Sequence, residues 1–213
     1  MTARALGWCR SETVLPPPYE LERLGRISLV TALPEGTGAR EVLAQQITLE
    51  RLLESYVPTN AALADRLEDT VRWSSGVEGE ILDRLDALEG KTQVTMAFEM
   101  PEAIEPERDG KTWLRNRAIH LEEETELSRQ LRRATDAILS FFDVTRSALR
   151  QREKNVILDL LLPRDGIQGT LARLEDQART IGLAQLPGWN CTIVGPLPAY
   201  AFCDFPDLEP CDG

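Results

Sequence analysis

The side chains that most often do chemistry are sparse in this 213-residue chain, which contains a single histidine. That residue, His120, lies in the run RAIHLEEETE, four residues before Glu124. An imidazole near carboxylates could be a metal ligand or a general base, but no nucleophile is spaced to partner His120 on one helix face. The pattern therefore favours a solvated helix surface, and we expect no metal site.

Two short glycine-containing runs lack the residues that known catalytic motifs require. GTGAR at residues 36–40 has neither the lysine and Ser/Thr of a phosphate-binding loop nor the third glycine of a dinucleotide fingerprint. SSG at residues 74–76 has no G-x-S-x-G frame. Without a catalytic constellation, the sequence predicts a non-enzymatic protein that needs no cofactor.

The cysteines show no spacing typical of a zinc site. They are isolated from one another and from the histidine, with no C-x-x-C pair among Cys9, Cys191, Cys203 and Cys211. In a reducing compartment such residues are free thiols. The first ten residues, MTARALGWCR, carry charge where a secretory signal needs an apolar stretch. We therefore expect a cytoplasmic protein.

The charge balance limits the classes of partner. Lys and Arg number 24 against 35 Asp and Glu, which gives a net charge of -11, and 42% of residues are hydrophobic. A negative field repels phosphate backbones and anionic lipid surfaces. No apolar run approaches the roughly 18 residues that a membrane span requires. The composition predicts a globular protein that binds neither nucleic acid nor membrane.

The N-terminal part of the chain mixes strand and helix patterns. RALGWCR at residues 4–10 and RISLVTAL at residues 26–33 are strand candidates, and helical spacing of apolar residues begins at Arg40. A further helical pattern ends well at Gly90. We predict a smaller N-terminal domain of mixed α and β structure over residues 1–90.

The C-terminal part has clearer strand signals. TQVTMAFEM at residues 92–100 alternates as a half-buried strand does. NVILDLLLP at residues 155–163 is nearly continuous in apolar residues, as in a central strand. A helical pattern follows, and WNCTIV at residues 189–194 is the last strand. The order β-α-β-α-β predicts an α+β protein whose C-terminal domain, residues 91–213, is a ferredoxin-like plait with one connection missing or modified.

A long helix is predicted within that domain. Between Trp113 and Gln151 there is no proline or glycine, and apolar or small residues recur every three or four positions. A single helix over residues 113–151 would be about 58 Å long at a rise of 1.5 Å per residue. Because this length exceeds what a small sheet can cover, we expect the helix to protrude or bend.

The start of this predicted helix is a candidate partner-binding patch. Trp113 and Leu114 lie among the cations Lys111, Arg115 and Arg117. Cations at a helix N-terminus oppose the helix dipole, so local helix stability does not explain them. The aromatic residue either fastens the helix to the sheet while the arginines pair with surplus acids, or the stretch docks a partner.

A stiff aromatic segment, GPLPAYAF at residues 195–202, follows the last strand. Pro196 and Pro198 lack a backbone N–H and fix φ, so both cannot continue a central strand. The segment must leave the sheet in an extended form. Tyr200 and Phe202 then lie against either the protein's own core or a partner.

Several of these stretches together resemble the gas vesicle protein F/L family (GvpF/GvpL). The C-terminal signature of the family is a glycine-proline-tryptophan-proline-proline-tyrosine-x-phenylalanine run. LEGKTQVTMAFE, DGKTWLRNR and LLLPRDGIQGTLARLEDQA are similar to three further family segments in the same order. The likeness covers roughly residues 85–205. The signature positions that match are Gly195, Pro196, Pro198, Tyr200 and Phe202, whereas Leu197 and Ala199 depart from it.

The resemblance implies an α+β protein in two parts, the second a modified ferredoxin-like domain. It also implies a non-enzymatic accessory or minor structural role in the assembly of gas vesicles, the hollow protein shells that give aquatic microbes buoyancy. Partners implied by the family are the small, very apolar shell subunit and other accessory proteins. An acidic protein that covers apolar surface transiently suits this role. We expect Tyr200 and Phe202 to close the core of the C-terminal domain.

Two other classes of function stay open at this point. A ferredoxin-like ligand-sensing or regulatory module would have kept the fold without the partner, and a cavity holding a small molecule would favour it. A hydrolase or transferase that uses surface carboxylates would require an acidic pocket.

Overall fold

The structure is a computed structural model that describes residues 3–33, 39–59, 61–99, 129–130, 132–152, 155–185 and 190–203. The fold is α+β with two antiparallel four-stranded sheets, so the predicted fold class is confirmed at this level. None of the helices in the described ranges has the length and apolar character that a membrane crossing requires.

The first sheet is built from the N-terminal part of the chain. Its strands are β1 (Arg4–Arg10), β2 (Tyr19–Leu24), β3 (Ile27–Ala32) and β4 (Val57–Pro58). They lie in the order β2-β3-β1-β4, and each neighbouring pair is antiparallel. The central strands β1 and β3 are buried on both faces, which explains why their sequences are nearly continuous apolar runs.

A glycine in β1 lets β4 approach closely. A Cβ at Gly7 would lie 2.4 Å from the carbonyl oxygen of Val57 and 2.5 Å from the ring of Tyr56. The register between β1 and β3 also shifts between Ala5 and Gly7, as at a β-bulge. This local geometry places the carbonyl of Leu6 next to Tyr56, which matters for the site described below.

In the described part of the chain, four helices accompany this sheet: α1 (Ala39–Leu52), α2 (Ala61–Ala64), α3 (Leu67–Gly76) and α4 (Glu78–Leu88). Trp8 of β1 lies 5.7 Å from Trp73 of α3 between ring centroids and donates a 2.8 Å hydrogen bond to Ser74 Oγ. One cluster of the apolar core comprises Leu6, Cys9, Val30, Ala32, Leu49, Leu53 and Tyr56.

The second sheet has the strand order of a ferredoxin-like plait. Its strands are β5 (Lys91–Glu99), β6 (Arg146–Arg152), β7 (Asn155–Pro163) and β8 (Asn190–Leu197). They lie in the order β6-β7-β5-β8. Helical residues 129–130 and 132–141 form the described part of α5, and Ile167–Gln185 forms α6. The order of the described elements along the chain is therefore β-α-β-β-α-β.

The prediction of one helix over residues 113–151 is wrong at its C-terminal end. Residues 146–152 form the strand β6 instead of a helical turn. Helical and strand spacing cannot be told apart in so short a run, and pairing with the apolar strand β7 decides the outcome. The sequence predicted a plait with one connection missing or modified, and β6 is the strand that occupies this place in the fold. Residues 113–128 of the predicted helix lie outside the described residues.

Contacts divide the chain into two compact units. The first comprises Met1–Val94, Leu161–Asp165 and Gly195–Gly213, and the second comprises Thr95–Leu160 and Gly166–Val194. The domain boundaries predicted from the sequence, residues 1–90 and 91–213, stay a prediction. Within the second unit, the buried apolar residues of the described part include Met96, Phe98, Ala134, Ile138, Val156, Leu158, Leu160, Leu174 and Ala178.

Candidate functional site

The segment Gly195–Phe202, which we call the signature segment, begins with the last three residues of β8, next to β5, and leaves the second sheet after Leu197. The Gly195–Pro196 peptide bond is cis. A Cβ at Gly195 would lie 3.0 Å from Val94 Cγ2 and 3.2 Å from the carbonyl oxygen of Gln93. Glycine is therefore the residue that lets this segment lie so close to β5.

Two hydrogen bonds fix the signature segment to β5. The hydroxyl of Thr92 donates to the carbonyl of Leu197 at 3.2 Å, and the backbone N–H of Ala201 donates to Gln93 Oε1 at 2.9 Å. The chain then turns through a short 3₁₀-helix, Tyr200–Phe202, in which Phe202 is buried. The end of the segment is thus held by side chains as well as by its backbone.

The hydroxyl of Tyr200 reaches helix α1. It donates a hydrogen bond to Gln46 Oε1, and Gln46 Nε2 in turn donates to the carbonyl of Leu6 at 2.6 Å and to that of Thr59 at 3.2 Å. Gln46 is 2% exposed, so all of its polar atoms must find partners inside the protein. Because α1 belongs to residues 1–90, this contact does not lie within the predicted C-terminal domain, where we expected Tyr200 to close the core.

The carbonyls of β1 accept further hydrogen bonds in this cluster. Tyr56 donates its hydroxyl to the carbonyl of Leu6 at 2.6 Å, and Thr59 Oγ1 donates to that of Ala5 at 2.9 Å. Burial raises the pKa of both Tyr56 and Tyr200 above the usual value of a phenol. Both tyrosines are therefore neutral hydrogen-bond donors at physiological pH.

A buried ion pair lies in the same unit. Arg164 donates from Nη2 to Glu50 Oε1 at 2.7 Å and to the carbonyl of Lys91 at 3.2 Å, and from Nη1 to the carbonyl of Leu53. Its backbone N–H donates to the carbonyl of Gly90 at 2.8 Å. Burial raises the pKa of Glu50 to about 7, although the charge of Arg164 opposes this shift. Arg164 therefore links α1 to the start of β5.

The second unit contains a polar triad across three strands. Asp159, on the central strand β7, is fully buried and accepts a 2.7 Å hydrogen bond from Thr95 Oγ1 on β5. Arg150, on β6, donates to the same carboxylate from Nε at 2.9 Å and from Nη2. Asp159 inside the apolar run NVILDLLLP was the sequence signal for the pair of Arg150 and Asp159. Arg150 could not be inferred as the partner, because β6 was predicted as helix.

A groove of about 400 Å³ lies between the C-terminal end of the described part of α5 and the middle of α6. The guanidinium of Arg173 lies 5.4 Å from the ring centroid of Phe142, and Phe141 is 55% exposed. The remaining lining residues are Ala172, Asp176 and Gln177. The groove combines aromatic, cationic and polar groups, but its lining has no pair of carboxylates for acid–base catalysis.

The residues predicted from the sequence fall into two groups. All five signature residues, Gly195, Pro196, Pro198, Tyr200 and Phe202, are described, and they lie in one continuous segment. The candidate partner-binding residues Trp113, Leu114, Arg115 and Arg117 lie outside the described residues, as does His120. Cys9, Cys191 and Cys203 are not in disulfide bonds. Among the described side chains, no group of three or more His, Cys, Asp or Glu could hold a metal ion.

The polar groups of this site hold the signature segment in place through hydrogen bonds. Within the described part of the chain, the buried hydroxyls, amides and charges around Gln46 and Glu50 are paired with one another or with backbone carbonyls. A neutral phenol that already donates its proton in a hydrogen bond is a poor nucleophile. The fold and this site define a class of protein: an α+β protein whose C-terminal signature segment is fixed by buried polar groups.

Comparison with known proteins identifies the family. The sequence matches the family described as gas vesicle synthesis protein GvpL/GvpF over residues 40–204. The chain belongs to this family. Its role is therefore related to gas vesicles, and the family is a structural and accessory one. A search of curated proteins found no match.

Two solved structures share the fold. The gas vesicle protein GvpF from Anabaena sp. PCC7120 superposes with a TM-score of 0.62 at 13% identity, covering 96% of each chain. GvpF from Microcystis aeruginosa superposes with a TM-score of 0.60 at 12% identity, covering 95% of this chain and 99% of that one. At these identities the likeness concerns the fold alone.

Proposed function

We propose that this protein is a non-enzymatic accessory or minor structural protein of gas vesicle assembly. In this role it binds the small hydrophobic shell subunit and other accessory proteins in the cytoplasm. The observation that carries the proposal is the family match over residues 40–204, which takes in strands of both sheets. A net charge of -11 supports it, because an acidic protein remains soluble while it covers apolar surface.

The contacts of Tyr200 and Phe202 bear on which residues could bind a partner. The Tyr200 hydroxyl donates a hydrogen bond to Gln46 inside the protein, and the Phe202 side chain is buried. These side chains are therefore poor candidates for the partner contact. The patch formed by Trp113, Leu114, Arg115 and Arg117 stays a proposal for that contact.

A co-expression pull-down with the shell subunit tests both statements. We expect the wild type to retain the subunit and a Trp113→Ala variant to retain less, because truncation of an aromatic anchor removes contact area. Arg115→Glu should also weaken retention if the patch binds an acidic surface. Arg23→Glu makes the same charge change at an exposed position of β2 and serves as the matched control.

The outcomes separate the function from the patch. Loss of retention in Trp113→Ala at an unchanged melting temperature would support the patch, and full retention would overturn it while the assembly role stands. If the folded wild type retained nothing, the proposed function would fail. The groove at Phe141, Phe142 and Arg173 would then favour the second candidate, a ferredoxin-like ligand-sensing or regulatory module.

A further inference from the structure

The outer edges of the two sheets differ in how they are protected against pairing with another chain. Unpaired N–H and C=O groups at a sheet edge form a template for a further strand, and proteins block such edges with charges, prolines or short strands. Among the described strands, β2 carries Glu20, Glu22 and Arg23 at its edge. The edge strand β4 is only two residues long, and one of them is Pro58.

The two edges of the second sheet differ most clearly. β6, at one edge, contains three arginines and no acidic residue in RSALRQR. β8, at the other edge, contains neither a charged residue nor a proline over its first five residues, Asn190–Val194. In a chain of which 28% is charged, this five-residue edge lacks the features that usually block strand addition.

The outer side of Asn190–Val194 is accessible in the described structure. β8 pairs with β5 on its inner side, and none of the described strands lies on its outer side. Among the described residues, no backbone group outside the sheet hydrogen-bonds to this stretch. Asn190, Thr192 and Val194 are exposed, the last at 46%, whereas Cys191 and Ile193 are half-buried.

The signature segment sets the end of this edge. Pro196 has no N–H to donate to a further strand, and Gly195 lies tightly against Val94. The next residue, Leu197, already accepts the hydrogen bond from Thr92. The free edge is therefore five residues long, which corresponds to about 17 Å at the usual rise of a strand.

We propose that Asn190–Val194 is a strand-addition site that accepts an extended, uncharged, β-branched segment of a partner protein. Resting on the proposed function, we assign this segment to the shell subunit. Side chains of an added strand would lie beside Thr192, Ile193 and Val194, which favour β-branched neighbours. A carboxylate on that strand would meet the field of a protein with net charge -11. A lysine or arginine would find no carboxylate on β8 for a cross-strand pair.

A lysine placed on this edge tests the proposal. Thr192→Lys introduces a charge of the kind that natural edge strands use to prevent pairing. We expect at least a tenfold loss of shell-subunit retention in the co-expression pull-down, with the melting temperature unchanged because Thr192 is exposed. Ser147→Lys is the matched control, since it places the same charge at an exposed position on the opposite edge of the same sheet.

A conservative variant and a direct probe complete the design. Thr192→Val keeps an uncharged β-branched side chain and should retain the subunit within twofold of the wild type. Hydrogen–deuterium exchange should show slower exchange of the amides in residues 190–194 when the subunit is bound. The amides of β6 should exchange at the same rate with and without the subunit.

The outcomes distinguish this inference from the function on which it rests. If the folded wild type retains no subunit, the proposed function fails and the strand-addition site fails with it. If Thr192→Lys retains the subunit as well as Ser147→Lys does, the inference alone is overturned. A wild-type dimer that Thr192→Lys converts to a monomer would assign the edge to a second copy of this chain and overturn the shell subunit as its occupant.

Discussion

The hydroxyl of Tyr200 is the residue-scale feature that joins the signature segment to helix α1. Its acceptor, Gln46, is itself 2% exposed and donates hydrogen bonds from its side-chain amide to the carbonyls of Leu6 and Thr59. A buried acceptor that loses its donor keeps its desolvation cost without a compensating hydrogen bond. The tyrosine of the family signature is thus explained here by what it satisfies inside the protein.

Removing that hydroxyl should destabilise the protein. Tyr200→Phe leaves Gln46 Oε1 without its donor, and we expect the free energy of unfolding to fall by about 1–3 kcal/mol. Urea unfolding followed by tryptophan fluorescence measures this change. Tyr19→Phe is the control, because the Tyr19 hydroxyl contacts the carbonyl of Gln45 only at 3.5 Å. Equal effects of the two substitutions would contradict the assigned role of Tyr200.

The buried carboxyl of Glu50 predicts a dependence of stability on pH. Burial raises its pKa from 4.5 to about 7, and Arg164 opposes the rise. Between these two values the folded state holds a proton that the unfolded state has released, so the protonated carboxyl favours the fold and stability falls as pH rises. This contribution is fully present below about pH 4.5 and is lost as pH rises through about 7.

Comparison with Glu50→Gln isolates this contribution. At about 1.4 kcal/mol per pKa unit, the wild type should lose about 3 kcal/mol relative to Glu50→Gln between pH 4.5 and pH 9. Urea unfolding of both proteins at several pH values measures the difference. A difference that stays constant over this range would show that Glu50 does not titrate as assigned.

At the scale of elements, the triad of Arg150, Asp159 and Thr95 ties β6 to the centre of the second sheet. The carboxylate is fully buried on β7, and the hydrogen bonds from these two donors offset the cost of burying its charge. The triad stabilises the pairing of β6 with β7, in addition to the backbone hydrogen bonds of the sheet.

Loss of the Arg150 guanidinium should therefore be costly. Arg150→Met leaves Asp159 with Thr95 as its remaining donor from the triad, and we expect a loss of about 2 kcal/mol. The loss should lie below that of a fully buried pair because the Arg150 side chain is 45% exposed. Arg179→Met, at an exposed position of α6, is the control and should change stability by less than about 0.5 kcal/mol. Similar unfolding midpoints for the two variants would contradict the role of the triad.

Elements with a strong pattern were predicted from the sequence, and those that depend on partners distant in the chain were not. β5, β7 and α6 were predicted because their alternation, apolar run and helical spacing are each unambiguous. β2 was missed because glutamates are uncommon in strands, and its pairing with β3 overrides that preference. The two-residue strand β4 is too short to give a pattern.

The residues of the candidate site also divide into those that the sequence predicted and those that it did not. The signature residues were identified because they lie together in one short motif. Gln46, the partner of Tyr200, was not, because 154 positions separate the two residues in the chain. Arg164 and Glu50 are 114 positions apart and were missed for the same reason. Such pairs depend on tertiary structure, which no local pattern of one sequence specifies.

At the scale of the whole molecule, the chain has a net charge of -11 and an α+β fold, and it belongs to a structural and accessory family. The proposal that it binds a partner without transforming it rests on these properties. The first unit combines three separate stretches of chain, one of which carries the whole signature segment. In the described part of this unit, the buried polar groups around Gln46 and Glu50 bond to one another and to backbone carbonyls. The free edge of β8 and the patch around Trp113 are the two proposed contact surfaces, and the variants described above address each one separately.

The most direct test of the account is the amount of shell subunit that the wild-type protein retains when the two are co-expressed and this protein is purified. The account predicts that the subunit is retained in a soluble complex. It also predicts that Ser147→Lys retains as much as the wild type, while Thr192→Lys retains at most a tenth. A folded wild-type protein that retains no subunit would contradict the assembly role.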